Sequence, residues 1–173
     1  MEESMDPPKM GPGIKVLIGF LIFHLLIVIT QTVALFEYDW MAQNKLQEPR
    51  FLADEAVVQS NRAICAAHAV VMLPLNCLAL WGLCRHQFYG MICSWMLLGT
   101  CLYWPVNFVA SRFTYASAGI RHVKLNSADL GICAFVFTFA CWASWMLTQS
   151  PQLTYHLNQH QESSKSASRN KRD

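Results

Sequence analysis

Four long apolar stretches dominate this chain of 173 residues and limit what it can fold into. They cover residues 14–36, 63–84, 87–110 and 130–149, about half of the sequence in total. At a rise of about 1.5 Å per residue, roughly 20 apolar residues in a helix cross the hydrocarbon core of a bilayer. The pattern therefore predicts an all-α, polytopic membrane protein with a bundle of four transmembrane helices.

The composition also indicates a membrane protein. Hydrophobic residues make up 54% of the chain and charged residues 14%, whereas soluble domains carry about 25% charged residues. We expect a cytosolic N-terminal arm over residues 1–13, a transmembrane domain over 14–149 and a disordered basic cytosolic tail over 150–173. The first stretch is expected to be a retained helix, because no small-residue cleavage site follows a short apolar core.

The Lys and Arg residues outside the spans predict the orientation. Seven of them fall on the side of the two termini and six on the opposite side, where acidic residues are interleaved with them. Because cytosolic segments are enriched in Lys and Arg, both termini are predicted to be cytosolic. The net charge of +2, concentrated in the tail, is typical of a segment that faces membrane lipids, and we predict no nucleic-acid partner.

The cysteines all lie in or at the ends of the predicted helices. They are Cys65, Cys77, Cys84, Cys93, Cys101, Cys133 and Cys141. Neither outward loop contains one, so extracellular disulfides are not expected, which argues against tetraspanin-like and claudin-like proteins. We interpret the thiols as small packing groups between helices.

Each span carries one polar or aromatic stripe, and no span contains Asp, Glu or Arg. The stripes are His24 and Gln31; Cys65, His68, Met72 and Asn76; Cys93, Thr100, Trp104 and Asn107; and Thr138, Trp142 and Trp145. Residues three, four or seven apart share one face of a helix. Because polar groups that face lipid are costly, we expect the four stripes to converge on the bundle axis.

Three interpretations of that axis remain open. The polar side chains could only hold the helices together by hydrogen bonds, or they could line a cavity for an apolar ligand. Cys65, His68 and Met72 are residue types that bind soft metals. All three lie on one helix and no further Cys or His is paired with them, so the support for a metal site is poor. We therefore predict neither a metal nor a cofactor.

Residues His68–Pro74, HAVVMLP, resemble the E-x-x-x-Q-L-P segment in the second helix of the emopamil-binding-protein superfamily. This EXPERA group includes sterol isomerases and the sigma-two receptor. His68 falls at the acidic position of the segment and Met72 at its Gln, while Leu73 and Pro74 coincide. The Trp104-Pro105 step and Gln31 near the outer end of the first span also fit. The basic residues near the end of the tail, Arg169 and Lys171, resemble a dibasic retrieval signal of endoplasmic-reticulum proteins.

The resemblance implies an endoplasmic-reticulum protein with a sterol or terpenoid ligand in an intramembrane pocket, and isomerisation or cyclisation of that ligand. The catalytic carboxylates of the family are missing here, which indicates a different substrate. His68 and His24 are the candidate catalytic residues, because imidazole titrates near neutral pH. The candidate ligand-binding residues are Gln31, Met72, Asn76, Thr100, Trp104, Asn107, Trp142 and Trp145.

The remaining expectations concern the proton donor, the shape of the second helix and the alternatives to catalysis. A proton could come from Asp39, Asp54 or Glu55 if the first loop folds over the cavity as a lid. Pro74 lacks an N–H and should free the carbonyl of Val70, which predicts a kink that widens the bundle beside His68. The alternatives are a non-enzymatic lipid-binding or trafficking protein, or a structural subunit that presents small residues such as Ala67, Ala69 and Ala110 to a partner.

Overall fold

The computed structural model describes residues 10–150, and within this range it contains helices but no strand. Four helical segments are long and apolar enough to cross a membrane, namely Pro12–Phe36, Glu55–Cys84, Phe88–Ser117 and Ser127–Thr148. The predicted all-α membrane bundle is thereby confirmed. The predicted arm and tail lie outside the described residues except for residues 10–13 and Ser150.

The individual helices are labelled in chain order. They are α1 (Pro12–Phe36), α2 (Tyr38–Gln43), α3 (Glu55–Ala67), α4 (Leu73–Cys84), α5 (Phe88–Ser117) and α6 (Ser127–Thr148). A 3-10 turn at Arg50–Leu52 lies in the first loop. The second spanning helix consists of α3, a π-turn and α4. We call the end of the bundle with the 37–54 and 118–126 segments the loop end, and the opposite end, with residues 10 and 150, the terminal end.

All four helical segments are longer than the predicted spans, and local hydrogen bonding explains two of their ends. α6 begins at Ser127 because Asn126 and Asp129 form a capping box, in which Asn126 Oδ1 accepts from the Asp129 N–H at 2.9 Å. α5 continues to Ser117, seven residues past the predicted end at 110, and stops where Gly119 adopts a φ of +68°. The N–H of Ile120 then donates to the carbonyl of Tyr115 at 2.9 Å, which closes the helix end.

A π-turn at His68–Met72 interrupts the second spanning helix. The N–H of Leu73 donates to the carbonyl of His68, five residues earlier, in place of the usual four. The next residue, Pro74, has no N–H to donate, so it leaves the carbonyl of Val70 without its usual α-helical partner. The structure has a π-turn on the residues before Pro74, and the kink that widens the bundle stays a prediction.

The bundle core is formed by leucines and by close helix contacts. Leu17, Leu21, Leu97, Leu98 and Leu147 are fully buried between the helices. Many large apolar side chains point outward instead, including Phe113, which is 67% exposed. A bilayer is as apolar as these side chains, so an outer surface of this kind is expected for a transmembrane bundle.

The loop end is ordered by a small apolar cluster and by the ion pair between Glu48 and Arg112. Tyr38 packs with Val57 and Val58, and its hydroxyl donates to the carbonyl of Glu48 at 2.9 Å. Burial raises the pKa of the Tyr38 phenol, so the hydroxyl stays protonated and able to donate. The Glu48 carboxylate pairs with Arg112, which is buried near the end of α5. These contacts hold the first loop against α5.

Candidate functional site

A cavity of about 400 Å³ lies between the four spanning helices. This volume falls within the range of about 300–1,000 Å³ that small-molecule sites occupy. Most of the wall is apolar and consists of Phe20, Phe23, Ile27, Val28, Met72, Cys101, Ile132, Phe135 and Val136. The other lining residues are His24, Gln31, His68, Thr100 and Trp104.

The cavity has a sideways opening between α1 and α6. Nearer the terminal end the two helices touch, where the rings of Phe20 and Phe139 stack with their centroids 4.2 Å apart. Beyond this contact, Phe23, Ile132 and Phe135 line the cavity and are still 59%, 56% and 62% exposed. A lining residue that is also exposed marks the mouth of a cavity. The mouth therefore faces the bilayer and not water.

His24 is held by a hydrogen bond across the bundle. The Asn76 side-chain amide donates from Nδ2 to Nδ1 of His24 at 2.7 Å. An amide nitrogen can only donate, so in the neutral imidazole the hydrogen lies on Nε2 of His24. Asn76 itself is fully buried and does not line the cavity, although it was predicted to bind the ligand. It positions His24 and leaves an N–H as the polar edge of that ring.

His68 is held in the complementary way by Gln31. Nδ1 of His68 contacts Oε1 of Gln31, and because a carbonyl oxygen can only accept, the imidazole must donate from Nδ1. In the neutral imidazole Nε2 then carries a lone pair. His68 and Met72 are the first and last residues of the π-turn, and both line the cavity. This pair therefore offers a base or hydrogen-bond acceptor from the second spanning helix.

The predicted stripe on the third span is only partly correct. Thr100 and Trp104 line the cavity, and the Trp104 ring stacks on Phe108 at 5.3 Å. Asn107, predicted on the same face, is half-buried but does not contribute to the lining. Cys93 packs against the leucine core nearer the terminal end.

The predicted stripe on the fourth span is wrong. Thr138, Trp142 and Trp145 are exposed on the outside of the bundle, and Trp145 is 64% exposed. The face that packs inward carries Ala140 and Ala143 instead. Small residues let helix backbones approach closely, while indole rings are well accommodated at the lipid surface. Trp142 and Trp145 consequently do not belong to the site.

The first loop does not supply an acid to the cavity. Asp39 forms an ion pair with Arg50 at 2.8 Å, and Asp54 accepts a hydrogen bond from the backbone N–H of Arg121 at 2.7 Å. Glu55 begins α3 and also lies within 3.8 Å of Arg50. Among the described residues, no carboxylate lines the cavity. The expected lid is therefore not formed by this loop.

Sequence reasoning missed the apolar residues of the wall. Phe20, Ile132, Phe135 and Val136 line the cavity, as does the thiol of Cys101. In a bilayer, apolar residues face both the lipid and the interior, so hydropathy alone does not separate lining residues from lipid-facing ones.

The arrangement offers apolar walls and imidazole groups rather than a metal centre. Cys65 packs with Ala34 and Met41 and does not line the cavity with His68. Within residues 10–150 no group of three His, Cys, Asp or Glu side chains is close enough to hold a metal ion. Comparisons with protein-family models, with curated proteins and with solved structures found no match to this chain.

Proposed function

We propose that this chain binds one apolar ligand, a sterol or terpenoid, in its intramembrane cavity. The observation that carries the proposal is an apolar cavity of about 400 Å³ that opens to the bilayer and has in its wall two histidines, each held by an amide side chain. The resemblance of the His68–Pro74 segment to the EXPERA group supports the same ligand class.

The chemistry of the wall favours such a ligand over a water-soluble one. A polar solute would have to give up hydration against phenylalanine and isoleucine side chains, which is costly. An apolar molecule that leaves the bilayer gains little from apolar contact alone, because lipid tails are equally apolar. The hydrogen bonds that His68, Gln31 and His24 can make are absent in lipid. These polar groups therefore give the cavity its advantage over the bilayer for a ligand that carries oxygen.

Photocrosslinking in vesicles tests the proposal. A cholesterol analogue with a diazirine group is expected to label the cavity saturably, and unlabelled sterol or terpenoid should compete. Val136→Trp places an indole in the cavity and should abolish this labelling, whereas Val106→Trp, on the exposed face of α5, should not. Labelling that is equal in the two variants, or that never saturates, would contradict a specific site.

A second candidate function is isomerisation or cyclisation of the bound molecule. The observation in its favour is the Gln31 contact, which orients His68 so that Nε2 keeps a lone pair able to accept a proton from the ligand. His68→Asn removes titration but keeps hydrogen bonding, and His68→Leu removes both. If His68 is a base, both variants lose turnover by about 100-fold or more while the Asn variant still binds ligand. Retained turnover in a folded His68→Asn protein would leave ligand binding alone as the function.

The cellular setting is part of the proposal. We infer an integral protein of the endoplasmic-reticulum membrane with both termini in the cytosol. The seven Lys and Arg residues on the terminal side and the basic pair Arg169 and Lys171 support it. Replacing both residues of that pair by Ala should move a tagged protein out of the endoplasmic reticulum if they act as a retrieval signal. An unchanged location would remove this support.

A further inference from the structure

The two histidine–amide pairs lie at different depths in the bundle. Along α1, Gln31 follows His24 by seven residues, which corresponds to about 10 Å at 1.5 Å per residue. On the antiparallel second spanning helix, His68 precedes Asn76 by eight residues, a similar rise. The Gln31–His68 pair is therefore nearer the loop end, and the His24–Asn76 pair is about 10 Å nearer the terminal end.

The wall between the two levels is apolar. Ile27 and Val28 lie between His24 and Gln31 on α1, and Met72 lies midway between His68 and Asn76; all three line the cavity. The Thr100 hydroxyl also lines it, but its hydrogen is donated to the carbonyl of Met96 at 3.2 Å. A ligand that spans both levels thus meets a mainly apolar wall, to which Thr100 and Trp104 add one polar group each, and a histidine held by an amide at each of two levels.

The two points differ in what they offer. At the loop-end level, Nε2 of His68 accepts and the Gln31 amide nitrogen donates, because Nδ1 and Oε1 are already paired with each other. At the other level, the remaining ring nitrogen of His24 donates, because Nδ1 accepts from Asn76. A hydroxyl satisfies the first point, since it can donate to Nε2 of His68, on the edge of the ring away from Gln31. The second point requires an oxygen acceptor such as a ketone or a hydroxyl.

We infer that the ligand is an elongated sterol or terpenoid oxygenated at both ends, with a hydroxyl at the His68–Gln31 pair and an oxygen acceptor about 10 Å away at His24. This inference rests on the proposed ligand-binding function and narrows its ligand class. A hydrocarbon or a singly oxygenated molecule would leave one polar point without a partner inside an apolar cavity. Such unpaired polar groups discriminate strongly between ligands.

Three matched steroids test the inference without any change to the protein. One has a hydroxyl on ring A and a ketone on ring D, and the other two each lack one of these oxygens. Their affinities are measured in proteoliposomes by competition with the diazirine cholesterol analogue, at equal mole fractions in the membrane. The doubly oxygenated steroid is expected to bind about tenfold or more tightly than either relative. Equal binding of all three would overturn the inference but leave the proposed binding function intact, whereas no saturable labelling would defeat both.

A change at His24 then locates the second oxygen. In His24→Leu, the doubly oxygenated steroid and the relative that lacks the ketone should bind equally, because the donor to the ketone is gone. The same comparison in His68→Leu should remove the preference for the ring A hydroxyl instead. If the ketone keeps its advantage in a folded His24→Leu protein, the second oxygen is bound elsewhere and the assignment is wrong. Interchanged effects of the two variants would place the ketone at His68 and also overturn it.

Discussion

The contact between Gly82 and Gly90 gives the sharpest prediction about stability. These residues lie where α4 and α5 meet at the terminal end. A Cβ on Gly82 would lie 2.5 Å from Cα and 2.6 Å from N of Gly90, and a Cβ on Gly90 would lie 2.4 Å from the carbonyl carbon of Gly82. Favourable contacts between carbon atoms are about 3.5–4.0 Å long. Alanine at either position should therefore push the two helices about 1 Å apart.

The expected cost follows from two opposing terms. Overpacking of this kind costs about 1–3 kcal/mol, and the upper half of that range applies because the clashing atoms are backbone that no rotamer change can move. The higher helix propensity of alanine offsets this cost by about 1 kcal/mol relative to glycine. The net destabilisation of Gly82→Ala or Gly90→Ala is therefore about 1–2 kcal/mol, which lowers Tm by about 2–8 °C for a chain of this size. The double variant should lose less free energy of unfolding than the sum of the two single variants, because the first alanine already moves the helices apart.

The assay is thermal unfolding of the purified protein in one detergent, followed by intrinsic fluorescence. Gly99→Ala is the matched control, because Gly99 is also in α5 and a Cβ there would meet nothing within 4 Å. Its Tm should be unchanged or raised. A Gly90→Ala protein as stable as the Gly99→Ala protein would refute the close approach of α4 and α5, and with it the packing on which the bundle geometry depends.

Three further predictions concern topology, the π-turn and the loop end. A glycosylation acceptor site introduced near Gln47 should be modified. Modification of a site in the tail instead would show that the orientation is opposite to the predicted one. Pro74→Ala should allow a regular helix to replace the π-turn and should weaken sterol crosslinking without loss of folding. Unchanged crosslinking would show that the ligand site does not depend on the π-turn. Arg112→Met should lower Tm by several degrees because it leaves the carboxylate of Glu48, which is only 18% exposed, without its ion pair. Arg121→Met, which removes an exposed ion pair, should leave Tm nearly unchanged, and equal effects of the two would contradict the burial difference.

The helices could be predicted from the sequence because runs of about 20 apolar residues have few alternatives in a bilayer. The ends of the helices were harder to predict. The start of α6 depends on the Asn126–Asp129 capping box, and the extension of α5 to Ser117 includes Arg112, whose charge ended the predicted span. That charge is tolerated because the first loop folds back and places Glu48 beside it. Such a pairing between distant segments has no local signal.

The sequence correctly placed the polar residues His24, Gln31 and His68 at the cavity, but it placed the aromatic residues Trp142 and Trp145 there wrongly. Gln31 pairs with His68, and His24 with Asn76, because amide and imidazole groups have no alternative partners in lipid. The expectation that Trp145 faces the bundle axis was wrong, since an indole is also stable at the lipid surface. The apolar wall could not be predicted, because residues such as Phe135 suit both environments.

Native mass spectrometry of gently purified protein shows directly whether the cavity holds one sterol or terpenoid molecule. We expect one bound mass of that class per chain. This mass should be absent from Val136→Trp, in which the cavity is filled, and present in Val106→Trp, in which an exposed position is changed. A bare chain in the unchanged protein, or an identical bound mass in both variants, would contradict the claim.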